Sequence, residues 1–99
     1  MYDLSGHTNY FAPEMILCEG YSEKVDIWCL GILTYELIYG HHPFAVQNSK
    51  QTFRNILQLE LEKTDRLPNF VYRALEKNPE NRITLSEIKK DEWFMEIDW

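Results

Sequence analysis

Apolar side chains point in nearly every direction around the helix that residues 25–39 would form, and this run limits the possible folds more than any other part of the sequence. A surface helix carries an apolar stripe on one side only, so the pattern is typical of a helix buried all round. We predict this helix over residues 23–39, with Ser22 as its N-cap and Gly40 at its end. In a chain of 99 residues, we expect one flank of such a helix to stay under-covered. The apolar positions are Val25, Ile27, Trp28, Leu30, Ile32, Leu33, Tyr35, Leu37 and Ile38.

The remaining segments are predicted to be shorter helices that surround the central one. Pro13 fits the first turn of a helix over residues 13–17. Helical spacing of apolar residues predicts further helices over residues 49–60 and 69–77. A last helix begins at Thr84, because Glu87 three positions later completes a capping box. No segment alternates in the way of a strand, so we predict one all-α domain of four to five helices around one buried central helix.

Charge and segment composition exclude several classes of function. The chain has 16 acidic and 10 basic residues, a net charge of -6 and no basic run, so nucleic acid is not an expected partner. Residues 1–10 lack a leader pattern and residues 25–39 are too short for a membrane span, so no membrane association is expected. Cys18 and Cys29 form no CxxC pair, which favours reduced thiols and a cytoplasmic or nuclear protein. His41 and His42 have no further ligand at metal spacing, so no metal site is predicted.

Three short motifs occur in a fixed order along the chain. Residues 10–14 read Y-F-A-P-E, residues 26–31 read D-I-W-C-L-G, and residues 78–84 read N-P-E-N-R-I-T. Residues 40–44 read G-H-H-P-F, and Trp93-Phe94 follow near the end. This series resembles the C-terminal part of the large lobe of eukaryotic serine/threonine protein kinases, whose forms are Y-x-A-P-E, D-x-W-S-x-G, D-P-x-x-R-x-T and G-x-P-P-F. The resemblance covers residues 1–99 as a partial kinase domain and is greatest to the Aurora, polo and calmodulin-dependent kinases.

The resemblance implies structural roles for five residues. Glu14 and Arg82 match a buried ion pair that fixes the activation segment to the last helices. Asp26 matches the acid that opens the central helix and accepts hydrogen bonds from the catalytic loop, although it could also serve only as an acid at a helix N-terminus. Leu33 and Leu37 match apolar anchors of the catalytic spine. The groups that Asp26, Leu33 and Leu37 would serve do not occur in this chain.

The resemblance also implies residues that bind a protein substrate. Glu36 matches an acid that holds a substrate arginine in some kinases, while the alternative is a helix carboxylate facing solvent. Thr8 and Phe11 match the pocket for the residue after the phosphate acceptor. Recognition of this kind would combine charge with apolar fit.

The groups that perform phosphate transfer in this family are missing from the sequence. No segment resembles the Gly-rich loop, the phosphate-binding lysine, the H-R-D loop or the D-F-G aspartate. We therefore predict no catalytic residue and no cofactor site in this chain, with ATP and Mg belonging to the parent family, and no activity of the chain alone. A second departure is His7, which follows Gly6 where the family carries Thr or Ser. Asp3 stands where relatives often carry a phosphothreonine, and a carboxylate could imitate part of that charge.

Two functions from different classes remain open at this point. The first is a fragment of a serine/threonine kinase domain, whose protein partner is the missing kinase portion. The alternative is a non-catalytic, pseudokinase-like binding module that docks on a kinase or on a kinase substrate. A gene remnant without function is a third possibility.

Overall fold

The computed structural model describes residues 11–20 and 22–91. These residues form five α-helices, with a short 3-10 turn at Pro79–Asn81 between the fourth and the fifth, and no strand occurs among them. The prediction of an all-α fold is therefore confirmed. The helices are α1 (Pro13–Ile16), α2 (Lys24–Tyr39), α3 (Ser49–Gln58), α4 (Asn69–Ala74) and α5 (Leu85–Ile88).

The central helix α2 packs its buried side against α4 and against the turn that follows α2. Trp28 and Ile32 are inaccessible to solvent, and the Trp28 ring stacks on Phe44 with 5.7 Å between ring centroids. Gly31 allows the close approach to α4, because a Cβ atom there would lie 2.9 Å from Leu75 Cδ2. The core is the set Ala12, Ile27, Trp28, Ile32, Phe44, Ile56, Leu67, Phe70, Val71, Ala74, Leu75, Ile83 and Ile88.

Burial of α2 is one-sided in the described part of the chain. Leu33 is 47% exposed and Leu37 is 74% exposed, although the helix is apolar all round. This is the under-covered flank that the sequence led us to expect. None of the helices that the described residues form is long and apolar enough to cross a membrane.

Local signals set where the helices begin and end in several places. Gly40 ends α2 with a left-handed φ of 82°, and its N–H donates to the Glu36 carbonyl. Asn48 caps α3 by accepting the Gln51 N–H. Thr84 and Glu87 form the predicted capping box at the start of α5.

Other predicted boundaries differ from the observed ones. The N-cap of α2 is Glu23 and not Ser22, whose hydroxyl accepts the Lys24 N–H at 3.3 Å. Both α3 and α4 end earlier than predicted, at Gln58 and Ala74, and α1 ends at Ile16. After α4, the carbonyls of residues 76 and 77 bind the Arg82 side chain, and the chain leaves the helical path.

Candidate functional site

A buried ion pair joins the start of the described chain to its end. Arg82 donates from Nη1 to Glu14 Oε2 at 2.7 Å and from Nη2 to Glu14 Oε1 at 3.0 Å. The Arg82 and Glu14 side chains are 0% and 2% exposed. Two parallel bonds between a guanidinium and a carboxylate fix both distance and orientation. The structure thus brings Glu14 and Arg82 together across most of the fold.

The remaining N–H groups of Arg82 bind three backbone carbonyls. Nε donates to Glu76 O at 2.8 Å, Nη1 to Lys24 O at 2.9 Å and Nη2 to Lys77 O at 3.2 Å. A guanidinium has five N–H donors, so Arg82 uses all of them. Its Cζ also lies 5.2 Å from the centroid of the Trp28 ring. Arg82 therefore ties α1, the start of α2 and the segment after α4 into one unit.

Lys24 reinforces this unit from the other side, a role that the sequence analysis missed. Its Nζ donates to Arg82 O at 2.7 Å and to Pro79 O at 3.2 Å. The contacting residues lie more than fifty positions away, and no motif marks them. Only the folded chain places the Lys24 amine beside these carbonyls.

The charge state of Glu14 follows from this environment. Burial raises the pKa of a carboxyl, but the hydrogen bonds from Arg82 and from the backbone, with the Arg82 charge, outweigh it. The pKa of Glu14 therefore lies below its usual value. The carboxylate stays ionised at neutral pH, and the ion pair remains intact.

Asp26 lies exposed in the first turn of α2, beside an apolar cleft. The cleft has a volume of about 410 Å³, and Ile27 and Leu30 of α2 and Leu85 of α5 contribute its apolar wall. No hydrogen bond or ion pair joins the Asp26 side chain to another described residue. The charge of Asp26 acts on Cys29: burial is the larger cause that raises the pKa of this thiol, and Asp26 raises it further. Asp26 is thus available to a donor outside the described residues.

Leu33 and Leu37 lie one helical turn apart on the exposed flank of α2. Residues four apart on a helix are neighbours on the same face, so the two leucines form one apolar patch. The structure does not bring this patch together with Glu14 and Arg82. Arg82 lies beside the buried Trp28 of α2, and the two leucines are exposed. The patch is a surface of the described chain that a further element could cover.

Glu36 is partly buried, and its Oε1 atom is enclosed without a hydrogen-bond partner among the described residues. Phe11 packs elsewhere, against α3, where its ring lies parallel to Phe53 with 6.1 Å between centroids. Thr8, with His7 and Asp3, lies outside the described residues. Of the two described substrate candidates, Glu36 therefore lies on α2 and Phe11 packs on α3. Phe53 is a neighbour of Phe11 that the sequence analysis did not single out.

Side-chain ligands for a metal ion do not converge in the described part of the chain. No group of three or more His, Cys, Asp or Glu side chains lies close enough to hold one there. The amine of the partly buried Lys77 donates to Ile56 O at 2.8 Å and lies 4.5 Å from the Phe44 ring centroid. Burial lowers the pKa of Lys77, while Glu60 and Glu76 act in the opposite direction. This amine therefore binds a carbonyl in the last turn of α3.

Comparison with known proteins identifies the family. A model of the protein kinase domain matches residues 1–94. The chain is 40% identical over 94 residues to an Aurora kinase of Eremothecium gossypii, covering 91% of this chain and 26% of that protein. It is 40% identical over 97 residues to the serine/threonine-protein kinase OXI1 of Arabidopsis thaliana, covering 95% of this chain and 23% of that protein. Aurora kinase C of Mus musculus is 34% identical over 97 residues, covering 94% of this chain and 35% of that protein.

The chain thus spans between about a quarter and a third of the length of these curated relatives. The match runs over nearly all of this sequence, and the helices and the Glu14–Arg82 pair lie inside it. By their names, OXI1 is a serine/threonine-protein kinase and the other two relatives are Aurora kinases. The chain belongs to the protein kinase family, as a fragment of a serine/threonine kinase domain.

Proposed function

We propose that this chain is the substrate-binding part of a serine/threonine protein kinase, with the groups that bind ATP and Mg on the rest of the kinase domain. The observation that carries the proposal is the enclosed Glu36 Oε1 atom, which has no hydrogen-bond partner among the described residues. A buried acceptor without a partner costs about 1 to 3 kcal/mol, and more when it is charged. The Glu36 side chain is partly exposed, so a donor that displaces the groups around Oε1 would recover this free energy.

An arginine of a substrate protein suits the Glu36 carboxylate best. A guanidinium offers several donors in a plane and binds carboxylates through two bonds, which a lysine amine cannot do. Glu36 is on α2, a rigid helix whose buried side is fixed to α4, so the carboxylate is held in place before binding. Phe11, with Thr8, would then receive the residue that follows the Ser or Thr acceptor.

Asp26, Leu33 and Leu37 are proposed to bind the missing kinase portion, which is the protein partner of this chain. Asp26 would accept hydrogen bonds from the catalytic loop of that portion, and the exposed leucines would be covered by its apolar side chains. Burying a leucine yields about 1.5 to 3 kcal/mol, so the two exposed leucines offer a substantial contribution to that contact. We place such a kinase in the cytoplasm or nucleus, where reducing conditions would keep Cys18 and Cys29 as thiols.

We expect ATP and Mg to be bound by the rest of the kinase domain and not by this chain. Among the described residues, no group of three or more His, Cys, Asp or Glu side chains lies close enough to hold a metal ion. Phosphate transfer depends on positioning and on neutralising charge, so we expect no transfer by this chain alone.

A chimera tests the proposal directly. Residues 1–94 of this chain replace the matching part of the Eremothecium gossypii Aurora kinase, and phosphate incorporation is measured on serine peptides with Arg or Ala before the acceptor. We expect transfer by the chimera, none by the 99-residue chain, and a preference for the Arg peptides. Glu36→Gln should reduce that preference at least about tenfold, because it removes the charge of an enclosed partner. Glu62→Gln, at an exposed carboxylate, is the matched control and should change nothing.

Two results would contradict the proposal. Phosphate transfer by the 99-residue chain alone would show that this chain carries catalytic groups of its own. An active chimera with the same peptide preference after Glu36→Gln would remove the assigned role of Glu36.

A further inference from the structure

One face of α3 combines two cations with two apolar side chains. Lys50, Phe53, Arg54 and Leu57 occupy positions i, i+3, i+4 and i+7, which lie on one side of a helix. Lys50 and Arg54 are exposed, while Phe53 and Leu57 are partly buried. The side of α3 that is turned to the core carries Thr52 and Ile56, which are both buried. We refer to these four residues as the α3 outer face.

Phe11 extends the apolar part of this face beyond the helix. Its ring stacks on Phe53 with 6.1 Å between centroids and 6° between planes, and both rings keep part of their surface in solvent. Stacked rings of this kind hold each other in fixed orientations. The face therefore has a rigid aromatic centre with a cation on either side of Phe53 along the helix.

The charge of the α3 outer face is not compensated within the described chain. Helix α3 contains Lys50 and Arg54 and no acid, although the protein carries a net charge of -6. Neither cation forms an ion pair with a described residue, whereas Arg73 and Arg82 both do. An uncompensated positive patch on an acidic protein attracts a negative partner and repels most other surfaces.

We propose that the α3 outer face docks an acidic segment of a protein partner that carries a large apolar side chain. The apolar side chain packs on the Phe11–Phe53 stack, and carboxylates of the segment pair with Lys50 and Arg54. An anionic membrane is a poorer partner, because membrane binding by charge needs a cluster of four or more cations and this protein is acidic overall. The α3 outer face shares the Phe11 ring with the proposed substrate site, but its two cations lie on α3, whereas Glu36 lies on α2.

The probe for the test is a short synthetic peptide in which one Phe and one Leu stand three residues apart among Glu and Asp. Titrated into the isotopically labelled 99-residue chain, it should shift the backbone amide signals of residues 50–57, and binding should weaken as salt is raised. The Lys50→Glu/Arg54→Glu variant should bind the peptide roughly tenfold more weakly, as two exposed charge contacts become repulsive. Lys63→Glu/Lys90→Glu makes the same change in net charge elsewhere on the exposed surface and should retain binding.

Several outcomes would overturn the proposal. These are no binding of the probe, signal shifts away from α3, or equal weakening by both double variants. Equal binding of a peptide with Lys in place of every acid would also overturn it, since charge would then play no part. Binding of anionic vesicles in preference to the peptide would assign the face to lipid and reject a protein partner. None of these results depends on kinase activity of the chimera, so each can fail independently of the proposed function.

Discussion

Removing the charge of Glu14 should destabilise the chain by far more than removing an exposed ion pair of equal length. Glu14→Gln keeps the side-chain volume but leaves the Arg82 charge buried and unpaired. Breaking such a pair costs about 3 to 5 kcal/mol. The exposed pair of Arg73 and Glu87 has an N–O distance of 2.8 Å, against 2.7 Å for the buried pair. Its loss in Arg73→Met should cost far less, because both side chains of this pair lie largely in solvent and leave no buried charge behind.

Urea unfolding followed by far-UV circular dichroism measures both changes. With an m-value of about 1.5 kcal/mol/M, Glu14→Gln should lower the midpoint by about 2 to 3 M, and Arg73→Met by well under 1 M. The double variant Glu14→Gln/Arg82→Met should be more stable than the sum of the single changes predicts, by up to about 3 kcal/mol, because the stranded charge is gone. Equal midpoints for Glu14→Gln and Arg73→Met would refute the reasoning that burial decides the value of the pair.

Further predictions concern pH, packing, capping and thiol reactivity. The pKa of Glu14 is lowered below 4.5, so the pair should stabilise the fold fully above that pH and lose its effect as pH falls through the folded-state pKa. Urea unfolding at a series of pH values should therefore show a free energy of unfolding that falls less steeply with acid in Glu14→Gln than in the unchanged chain. Gly31→Ala should destabilise by about 1 to 3 kcal/mol in urea unfolding, because the new Cβ meets α4 side chains at 2.9 to 3.0 Å. Thr84→Ala should cost about 1 kcal/mol in the same assay through loss of the capping box. Cys18 is exposed and burial raises the pKa of Cys29, so Ellman's reagent at pH 7 should label Cys18 first, and Cys18→Ser should remove the fast phase.

The helices could be predicted from sequence because their signals are local. The apolar run of α2, its terminal Gly40 and the Thr84 capping box depend on residues within a few positions of one another. The ends of α3 and α4 could not be predicted in the same way. They coincide with distant side chains, since Lys77 binds the Ile56 carbonyl and Arg82 binds the carbonyls after α4.

The candidate site also combines residues marked by local sequence signals with residues that matter only through distant contacts. Glu14 and Asp26 lie in short motifs that resemble a known family, and Glu36, Leu33 and Leu37 were predicted from the same resemblance. The amine of Lys24 and the ring of Phe53 belong to no such motif, and their importance comes from contacts across the fold. Leu37 is 74% exposed on a helix that is apolar all round, and the apolar pattern by itself does not tell which side the other helices cover.

The bond between Glu14 and Arg82 spans 68 positions along the chain, which bears on how quickly the protein opens. Closing so long a loop costs entropy that local contacts do not, so this pair should form late in folding. An interaction absent from the folding transition state slows unfolding without speeding folding. The pair would then lengthen the lifetime of the folded chain without changing its folding rate. Variants at Glu14 would refold at nearly the rate of the unchanged protein, but proteases would degrade them faster because they unfold faster.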